Sequence, residues 1–213
     1  MQATWHPSPN FAPRREDVGF IILHGTWMAD DKSALSRLCD PAAEVSCHYY
    51  IDGGGNLLQL VKDTECAWHA GISAWKDIES LNQHSIGIEI ANPGEDRKRP
   101  YTPAQYETLE VLLESLIKKH HIKPENVVGH SDIAPWRKTD PGKHFDWSRL
   151  EEKGLAGKWH WPETATSEED ALYHYGYHGD LRDVVAAFQR RFMPENVTGD
   201  LCDKTRAFMR GGK

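Results

Sequence analysis

The segment GHSDIAPWRKTDPG, residues 129–142, concentrates three side chains that could do chemistry. It carries an imidazole at His130, an ammonium at Lys138 and a carboxylate at Asp140. Because proline disfavours helix for the residue before it, the two prolines predict an extended, ordered loop. In an extended chain, side chains two residues apart share a face, so Lys138 and Asp140 should point into the same space. This combination suits a pair of metal ligands with a cation beside them.

A third donor for such a site lies far upstream, in GFIILHGT, residues 19–26. The apolar, isoleucine-rich run favours a short buried strand, which would place His24 where the sheet meets a surface loop. Two imidazoles and a carboxylate are typical of catalytic zinc with an open fourth position. A lone histidine at a strand end is about as often structural, but the long motif favours a metal site. We therefore predict one zinc ion bound by His24, His130 and Asp140.

Five sequence blocks occur in an order that resembles one family. They are HGT at 24–26, VSCHYYID at 45–52, AWHAG at 67–71, SIGIEIAN at 85–92 and GHSDIAPWRKTDPG at 129–142. Over roughly residues 18–150 the chain resembles the type 2 N-acetylmuramoyl-L-alanine amidases, the AmpD/AmiD-like zinc amidases of the peptidoglycan recognition protein superfamily. Several ordered blocks make this resemblance more specific than a single motif.

The resemblance implies an enzyme that hydrolyses the amide between N-acetylmuramic acid, or its anhydro form, and L-alanine. It implies the metal ligands His24, His130 and Asp140 and the catalytic residues Glu89 and Lys138. The alternative is a non-catalytic peptidoglycan-binding protein, but such relatives lack a full ligand set. Soluble anhydro-muropeptides and polymeric peptidoglycan are both open as substrates.

The chemistry of the two catalytic candidates agrees with their positions. SIGIEIA alternates as a strand does, so Glu89 should project away from the isoleucines, on the face of Gly87, where a missing side chain would leave the cleft open. A carboxylate there could take a proton from water and return it to the leaving amine. Lys138 could stabilise the oxyanion. Without the family pattern, both residues would be interpreted as solvated surface charges.

Contacts to the substrate are predicted in the AWHAG block. The resemblance places Trp68 and His69 along the cleft, which implies binding of peptide or sugar. His48 is expected to be a buried structural residue instead. Further tryptophans near the motif loops could stack on sugar rings, although single tryptophans are more often packed: Trp27, Trp75 and Trp136.

The composition and the terminal sequence limit the possible binding partners and the cellular location. The chain has 213 residues, a formal net charge of −7 and no basic stripe, which argues against nucleic acid. No apolar run approaches the ~20 residues of a membrane span, and the N-terminus lacks a signal-peptide core. The four irregularly spaced cysteines indicate no disulfide framework. We expect a cytoplasmic protein, or a periplasmic or envelope protein if a leader has been removed; nothing specifies an oligomeric state.

Predicted strands and helices alternate, which indicates an α/β fold with a mixed central sheet flanked by helices. A helix should begin near Asp30, and HYYID and LLQLV should pair as a hairpin across GGGN. The capping box that starts at Thr102 should open a helix that runs to about Lys119. A strand over 126–129 then delivers His130.

Three regions are expected: an irregular lead-in over 1–17, a zinc amidase domain over 18–160 and a small three-helix domain over 165–213. The last helices should begin at caps Ser167, Asp180 and Asp200. The run AAFQRRF…TGDLCDKTRAF is similar to peptidoglycan-binding modules appended to such amidases. The alternative is a helical extension that only stabilises the core.

Overall fold

The computed structural model of the chain describes residues 2–97 and 99–211. Its strands are β1 (Thr4–Trp5), β2 (Phe11–Pro13), β3 (Phe20–Gly25), β4 (Tyr49–Ile51), β5 (Leu57–Gln59), β6 (Glu65–Ala67), β7 (Ala74–Trp75), β8 (Ile78–Glu79), β9 (Ser85–Ile90) and β10 (Val127–Gly129). Its α-helices are α1 (Asp31–Leu38), α2 (Pro103–His120), α3 (His130–Ile133), α4 (Trp147–Glu152), α5 (Glu168–Tyr175), α6 (Leu181–Phe192) and α7 (Asp203–Met209). Short 3-10 turns connect several of them.

A mixed sheet of six strands, in the order β1-β5-β4-β9-β3-β10, forms the centre of the molecule. The strands β4, β9, β3 and β10 are parallel, and β5 pairs antiparallel with β4 as the predicted hairpin. Two further antiparallel pairs, β2–β6 and β7–β8, lie outside this sheet. The predicted α/β class with a mixed sheet is therefore confirmed.

Each face of the sheet is covered by helices, because residues of a strand alternate between its two sides. On one side, Ile21 and Leu23 of β3 share an apolar cluster with the leucines of α2 and with α4. On the other, Phe20 and Ile22 of β3 and Val128 of β10 share a second cluster with α5, α6 and α7. The C-terminal helices thus form one wall of the core.

The predicted helix starts are confirmed where a local cap specifies them. Asp30 accepts a hydrogen bond from the N–H of Ser33 before α1, and Thr102 and Gln105 form the capping box of α2. Ser167 caps α5. The prediction for α7 was wrong: that helix begins after Cys202, and the carbonyl of Asp200 accepts from the side chain of Gln189 instead.

The predicted C-terminal boundaries, and glycan binding by residues 165–213, stay predictions. The four cysteines are free thiols. Across residues 2–97 and 99–211, no helix combines the length and apolarity that a bilayer crossing requires.

The expectation of an extended chain throughout the 129–142 motif was wrong: a short helix begins at His130, and the N–H groups of Arg137 and Lys138 close a second turn on the carbonyl of Ala134. His130 opens the short helix α3, because the carboxylate of Asp132 accepts from the backbone N–H of Gly129, 2.7 Å away, and so caps the turn. Asp132 also accepts from the hydroxyl of Tyr177 and pairs with Arg191 of α6 at 2.8 Å. Both prolines that suggested an extended chain, Pro135 and Pro141, lie in turns.

Arg191 is the main anchor between the C-terminal helices and this turn. Its side chain is 1% exposed, donates to the carbonyls of Val127 and Gly157, and lies over the ring of Trp147 at 4.3 Å. The guanidinium therefore neutralises Asp132 where water cannot reach either group.

We predict that Arg191→Met lowers the free energy of unfolding by about 3–5 kcal/mol, because it leaves the buried carboxylate of Asp132 uncompensated. Urea unfolding at neutral pH measures this. The control is Arg206→Met, which removes an exposed partner of Glu168 and should cost no more than about 1 kcal/mol. Equal losses in the two variants would contradict the anchoring role.

Candidate active site

The candidate site lies at the carboxyl ends of the parallel strands, where α/β sheets commonly place their ligands. His24 of β3 stands directly opposite Glu89 of β9, and Leu23 stands opposite Gly129 of β10. His130 follows Gly129 immediately, so strand register alone brings His24, Glu89 and His130 to one edge of the sheet. All three lie where the sequence pattern predicts them.

Asp140 completes a cluster with the two histidines. Nδ1 of His24 lies 2.9 Å from Nδ1 of His130, and the same carboxylate oxygen of Asp140 lies 3.3 Å and 3.1 Å from these two nitrogens. The three side chains are buried, and their geometry could hold a metal ion. A hydrogen bond of 2.8 Å from the N–H of Ser131 to the carbonyl of Asp140 closes the motif loop, which turns the carboxylate back toward His130.

Burial controls the charge of these groups. It lowers the pKa of His24 to about 4, so its imidazole is neutral at physiological pH, as a metal ligand must be. Burial alone would raise the pKa of Asp140, but the adjacent imidazoles of His130 and His24 hold it well below its usual range. The cluster is therefore ready to bind a cation without releasing a proton from Asp140.

The Nε2 nitrogens of His24 and His130 point away from the cluster and contact two consecutive residues, His69 and Ala70. Nε2 of His130 lies 3.2 Å from the carbonyl oxygen of Ala70, and Nε2 of His24 lies 3.0 Å from Nδ1 of His69. Nε2 of His69 lies 3.3 Å from the hydroxyl of Ser85. The AWHAG loop therefore stands behind the cluster, and His69 also lines the cleft, so the substrate contact predicted for it stays a prediction.

The expectation that Gly87 leaves the cleft open was wrong. A methyl group placed on Gly87 would lie 2.3 Å from the ring of His69, so the space that this glycine provides is filled by that imidazole. His48 is fully buried, as expected of a structural residue, and its Nδ1 accepts from the N–H of Gly87 at 2.9 Å.

Glu89 has a buried carboxylate oxygen, Oε2, without a hydrogen-bond partner among the described residues. Burial and the nearby charge of Asp140 raise the pKa of Glu89 to about 8, against the opposing effect of Lys138. A carboxyl group with a pKa near neutrality can both accept and return a proton at physiological pH. Glu89 is thus suited to proton transfer.

A cleft of about 320 Å³ opens over the cluster. Lys138, half-buried, lines it together with Asp140, so the two share one space as predicted. Trp68 and Trp27 also line it, whereas Trp75 is fully buried in the core beneath α5 and Trp136 is an exposed residue outside the set of lining residues.

Sequence reasoning missed the supports of the AWHAG loop. Asn82 accepts from the N–H groups of His69 and Ala70 at 3.0 and 2.7 Å, and Arg137 donates to the carbonyls of Ala70 and Ile72. Arg137 could have been noticed as the motif's second cation. Contacts to backbone carbonyls leave no signal in a single sequence.

Comparison with known proteins agrees with this geometry. The sequence profile of the N-acetylmuramoyl-L-alanine amidase family matches residues 14–143, more than half of the chain. The chain is 38% identical over 226 aligned residues to N-acetylmuramoyl-L-alanine amidase AmiD of Escherichia coli, which covers 89% of this chain and 80% of that protein. It is 45% identical over 166 residues to the 1,6-anhydro-N-acetylmuramyl-L-alanine amidase AmpD of E. coli, covering 68% of this chain and 87% of that protein.

The fold is similar as well. The structure of E. coli AmiD in complex with the substrate anhydro-N-acetylmuramic acid-L-Ala-D-γ-Glu-L-Lys superposes with a TM-score of 0.78 at 33% identity. That superposition covers 96% of this chain and 90% of AmiD. The fold, the site and these relatives together define a peptidoglycan amidase. The chain belongs to the N-acetylmuramoyl-L-alanine amidase family, as its motifs predict.

We predict that Glu89 makes the metal-free protein less stable as pH rises. The folded state, with a pKa of about 8, keeps a proton that the unfolded state loses near pH 4.3, so stability falls between these values, by up to about 1.4 kcal/mol per pH unit. Glu89→Gln should lack this loss. Urea unfolding in chelator from pH 5 to 8 measures the difference from wild type.

The control for this prediction is Glu114→Gln, which changes an exposed carboxylate on α2. Its stability should run parallel to that of wild type across the same pH range. A Glu89→Gln curve that also runs parallel to wild type would contradict a raised pKa at Glu89.

Proposed function

We propose that the protein is a zinc-dependent hydrolase that cleaves the amide bond between N-acetylmuramic acid, or its anhydro form, and L-alanine. The zinc ion would be held by His24, His130 and Asp140. Glu89 would move the proton, and Lys138 would stabilise developing negative charge. Membership of the amidase family supports the reaction, and the buried donor cluster supports the metal.

One observation carries the metal site. Apart from Glu89, whose raised pKa favours the uncharged form, the other buried carboxylates among the described residues each pair with a lysine or arginine: Asp63 with Lys119, Glu110 with Arg149 and Lys153, Asp132 with Arg191, and Glu168 with Arg206 and Arg210. Asp140 instead contacts two imidazoles. A buried carboxylate needs a compensating cation, and the position between these three side chains is where a metal cation would supply it.

The donors also fit zinc in type and spacing. Imidazole nitrogen and carboxylate oxygen bind zinc at about 2.0–2.2 Å, which puts neighbouring donors of a tetrahedral site roughly 3.3 Å apart. The three donor atoms here are separated by 2.9, 3.1 and 3.3 Å. Three protein donors leave a fourth position open, as catalytic zinc sites do.

The residues of the chain would then divide the work of hydrolysis. When zinc is bound, it supplies Lewis acidity, which polarises the scissile carbonyl and makes water nucleophilic near neutral pH. Glu89, opposite His24 on the neighbouring strand, takes the proton of the attacking water and returns it to the leaving amine. Lys138 lines the same cleft and stabilises the carbonyl oxygen as it becomes negative.

The full donor set favours an enzyme over a binding protein that uses the same cleft. For the substrate, we propose a muropeptide with an anhydro-N-acetylmuramic acid end. The name of the AmpD relative and the ligand of the AmiD structure, both of which contain this group, support that choice. Assays with anhydro-muropeptide and with intact sacculi, run side by side, compare the soluble and the polymeric substrate.

We predict that the purified protein binds one zinc ion and that Asp140→Ala removes it along with activity. Loss of the carboxylate leaves only two imidazoles, too few for a stable zinc site. Elemental analysis after dialysis measures the metal, and release of L-alanyl peptide measures activity. Glu114→Ala, which changes an exposed carboxylate on α2, is the control. Wild-type protein without stoichiometric zinc would refute the proposal.

Glu89→Gln should keep zinc while lowering turnover by about 10²–10⁴, the usual contribution of a general acid–base residue. Lys138→Met should also lower turnover with the metal content unchanged, because it removes charge from the cleft and no ligand. Steady-state kinetics with matched elemental analysis separates these effects. Release of zinc from the Glu89 variant would instead make Glu89 a ligand.

A further inference from the structure

We propose that His69 is a positioning residue: it fixes the tautomer and the orientation of His24, while the carbonyl of the next residue, Ala70, helps to orient the ring of His130. This inference rests on the proposed zinc site and deepens it. It replaces the prediction that His69 contacts the substrate. The hydrogen bonds that run from Leu81 through Ser85 and His69 to His24 have only one possible direction.

The direction of these hydrogen bonds is determined at Leu81, where the series of contacts from Leu81 to His24 begins. The hydroxyl of Ser85 donates to the carbonyl of Leu81 at 2.6 Å, because a carbonyl can only accept. The Ser85 oxygen therefore has no proton left for His69, 3.3 Å away, so Nε2 of His69 must be the donor in that contact. A neutral imidazole has a single N–H, so Nδ1 of His69 is an acceptor.

That acceptor determines the state of His24. Nε2 of His24 lies 3.0 Å from Nδ1 of His69 and must carry the proton that bridges them. Nδ1 of His24 is then left with its lone pair, and this is the atom that faces His130 and Asp140. The contacts that run from Leu81 to His24 thus leave Nδ1 of His24 unprotonated, and so able to bind a metal, in the metal-free protein.

His130 is oriented by contacts of its own. Its Nε2 lies 3.2 Å from the carbonyl of Ala70, which can only accept, and 3.4 Å from Nη2 of Arg137, which can only donate, so these contacts hold the ring in place with either tautomer. Two consecutive residues, His69 through its side chain and Ala70 through its backbone, therefore orient both imidazoles. Such outer partners usually are carboxylates, carbonyls or water, so an imidazole acceptor needs its own support, here from Ser85.

The AWHAG loop is held in place by three residues: Asn82, Arg137 and Gly87. The side-chain oxygen of Asn82 binds the N–H groups of His69 and Ala70, and Arg137 binds the carbonyls of Ala70 and Ile72. Gly87 supplies the space in which the His69 ring lies. A loop fixed in this way can hold the two rings to a narrow range of orientations.

A role in binding substrate fits these contacts poorly. Both ring nitrogens of His69 are engaged inside the protein, and the residue is 9% exposed. No nitrogen is left to recognise a peptide or a sugar. The neighbouring Trp68 is half-buried along the cleft and keeps the substrate-binding role predicted for it.

Two variants of equal shape test the proposal. Asparagine places an amide oxygen close to where Nδ1 of histidine lies, and leucine has the same branched form without an acceptor. His69→Leu should weaken zinc affinity by about 10–100-fold, the usual effect of losing an outer partner, whereas His69→Asn should stay close to wild type. Competition with a chromogenic chelator measures the affinity, and thermal melts of the metal-free variants check folding.

The alternative outcomes are distinct. Unchanged zinc affinity in His69→Leu, together with a raised KM in both variants, would assign His69 to the substrate and overturn the proposal. Equal loss of zinc affinity in the leucine and asparagine variants would also overturn it, since the acceptor would then be irrelevant.

A second measurement needs neither a variant nor zinc. Long-range ¹H–¹⁵N NMR of the metal-free wild-type protein shows which nitrogen of each histidine carries the proton. The proposal requires Nε2–H at His24 and His69, and a proton on Nδ1 of His24 would overturn it. If wild-type protein bound no zinc, the proposed function would fail while this tautomer test still gave its answer.

Discussion

The structure depends on holding three electron-rich atoms together in a buried place. Nδ1 of His24, Nδ1 of His130 and an oxygen of Asp140 lie within 3.3 Å of one another, and low polarity strengthens repulsion among them once neither nitrogen carries a proton, as metal binding requires. Without support the side chains would rotate apart. Parallel register between β3 and β10 fixes where the two histidines start, and the loop closed by Ser131 fixes where the carboxylate returns. The fold therefore keeps a cation-binding geometry that isolated side chains would not adopt.

The C-terminal helices contribute to that geometry from the opposite side of the sheet. Asp132 caps the turn that begins with His130, and it can be buried there only because Arg191 of α6 neutralises it. Tyr177 donates to the same carboxylate. Removal of α5–α7 would thus expose an apolar face of the sheet and also release the turn that carries a metal-binding histidine. Helices α5–α7 therefore support the core, and any contact of these helices with glycan would come in addition.

How far the sequence predicts this molecule depends on the range of the interaction that decides each feature. The capping box at Thr102 and the alternation that turns Glu89 from the isoleucines are local, and both were predicted correctly. The turn at His130 is decided by Asp132 and its partner 59 residues away, and the space beside Gly87 is filled by His69 from another loop. Neither distant partner leaves a pattern in one sequence. Family motifs identified the candidate site residues, but they could not show that His69 contacts His24.

The two carboxyl groups of the site show how one cleft can give them opposite roles. Asp140 is held ionised by the two imidazoles it contacts, whereas burial and the charge of Asp140 itself raise the pKa of Glu89 to about 8. Neighbouring carboxyl groups whose pKa values are driven apart in this way mark a division between a fixed charge and a mobile proton. A bound cation would weaken the effect of Asp140 on Glu89 and lower the pKa of Glu89 toward neutrality. The metal would therefore do more than bind the substrate's oxygen: its charge would make Glu89 a competent base, so metal loading and proton transfer are coupled through Asp140.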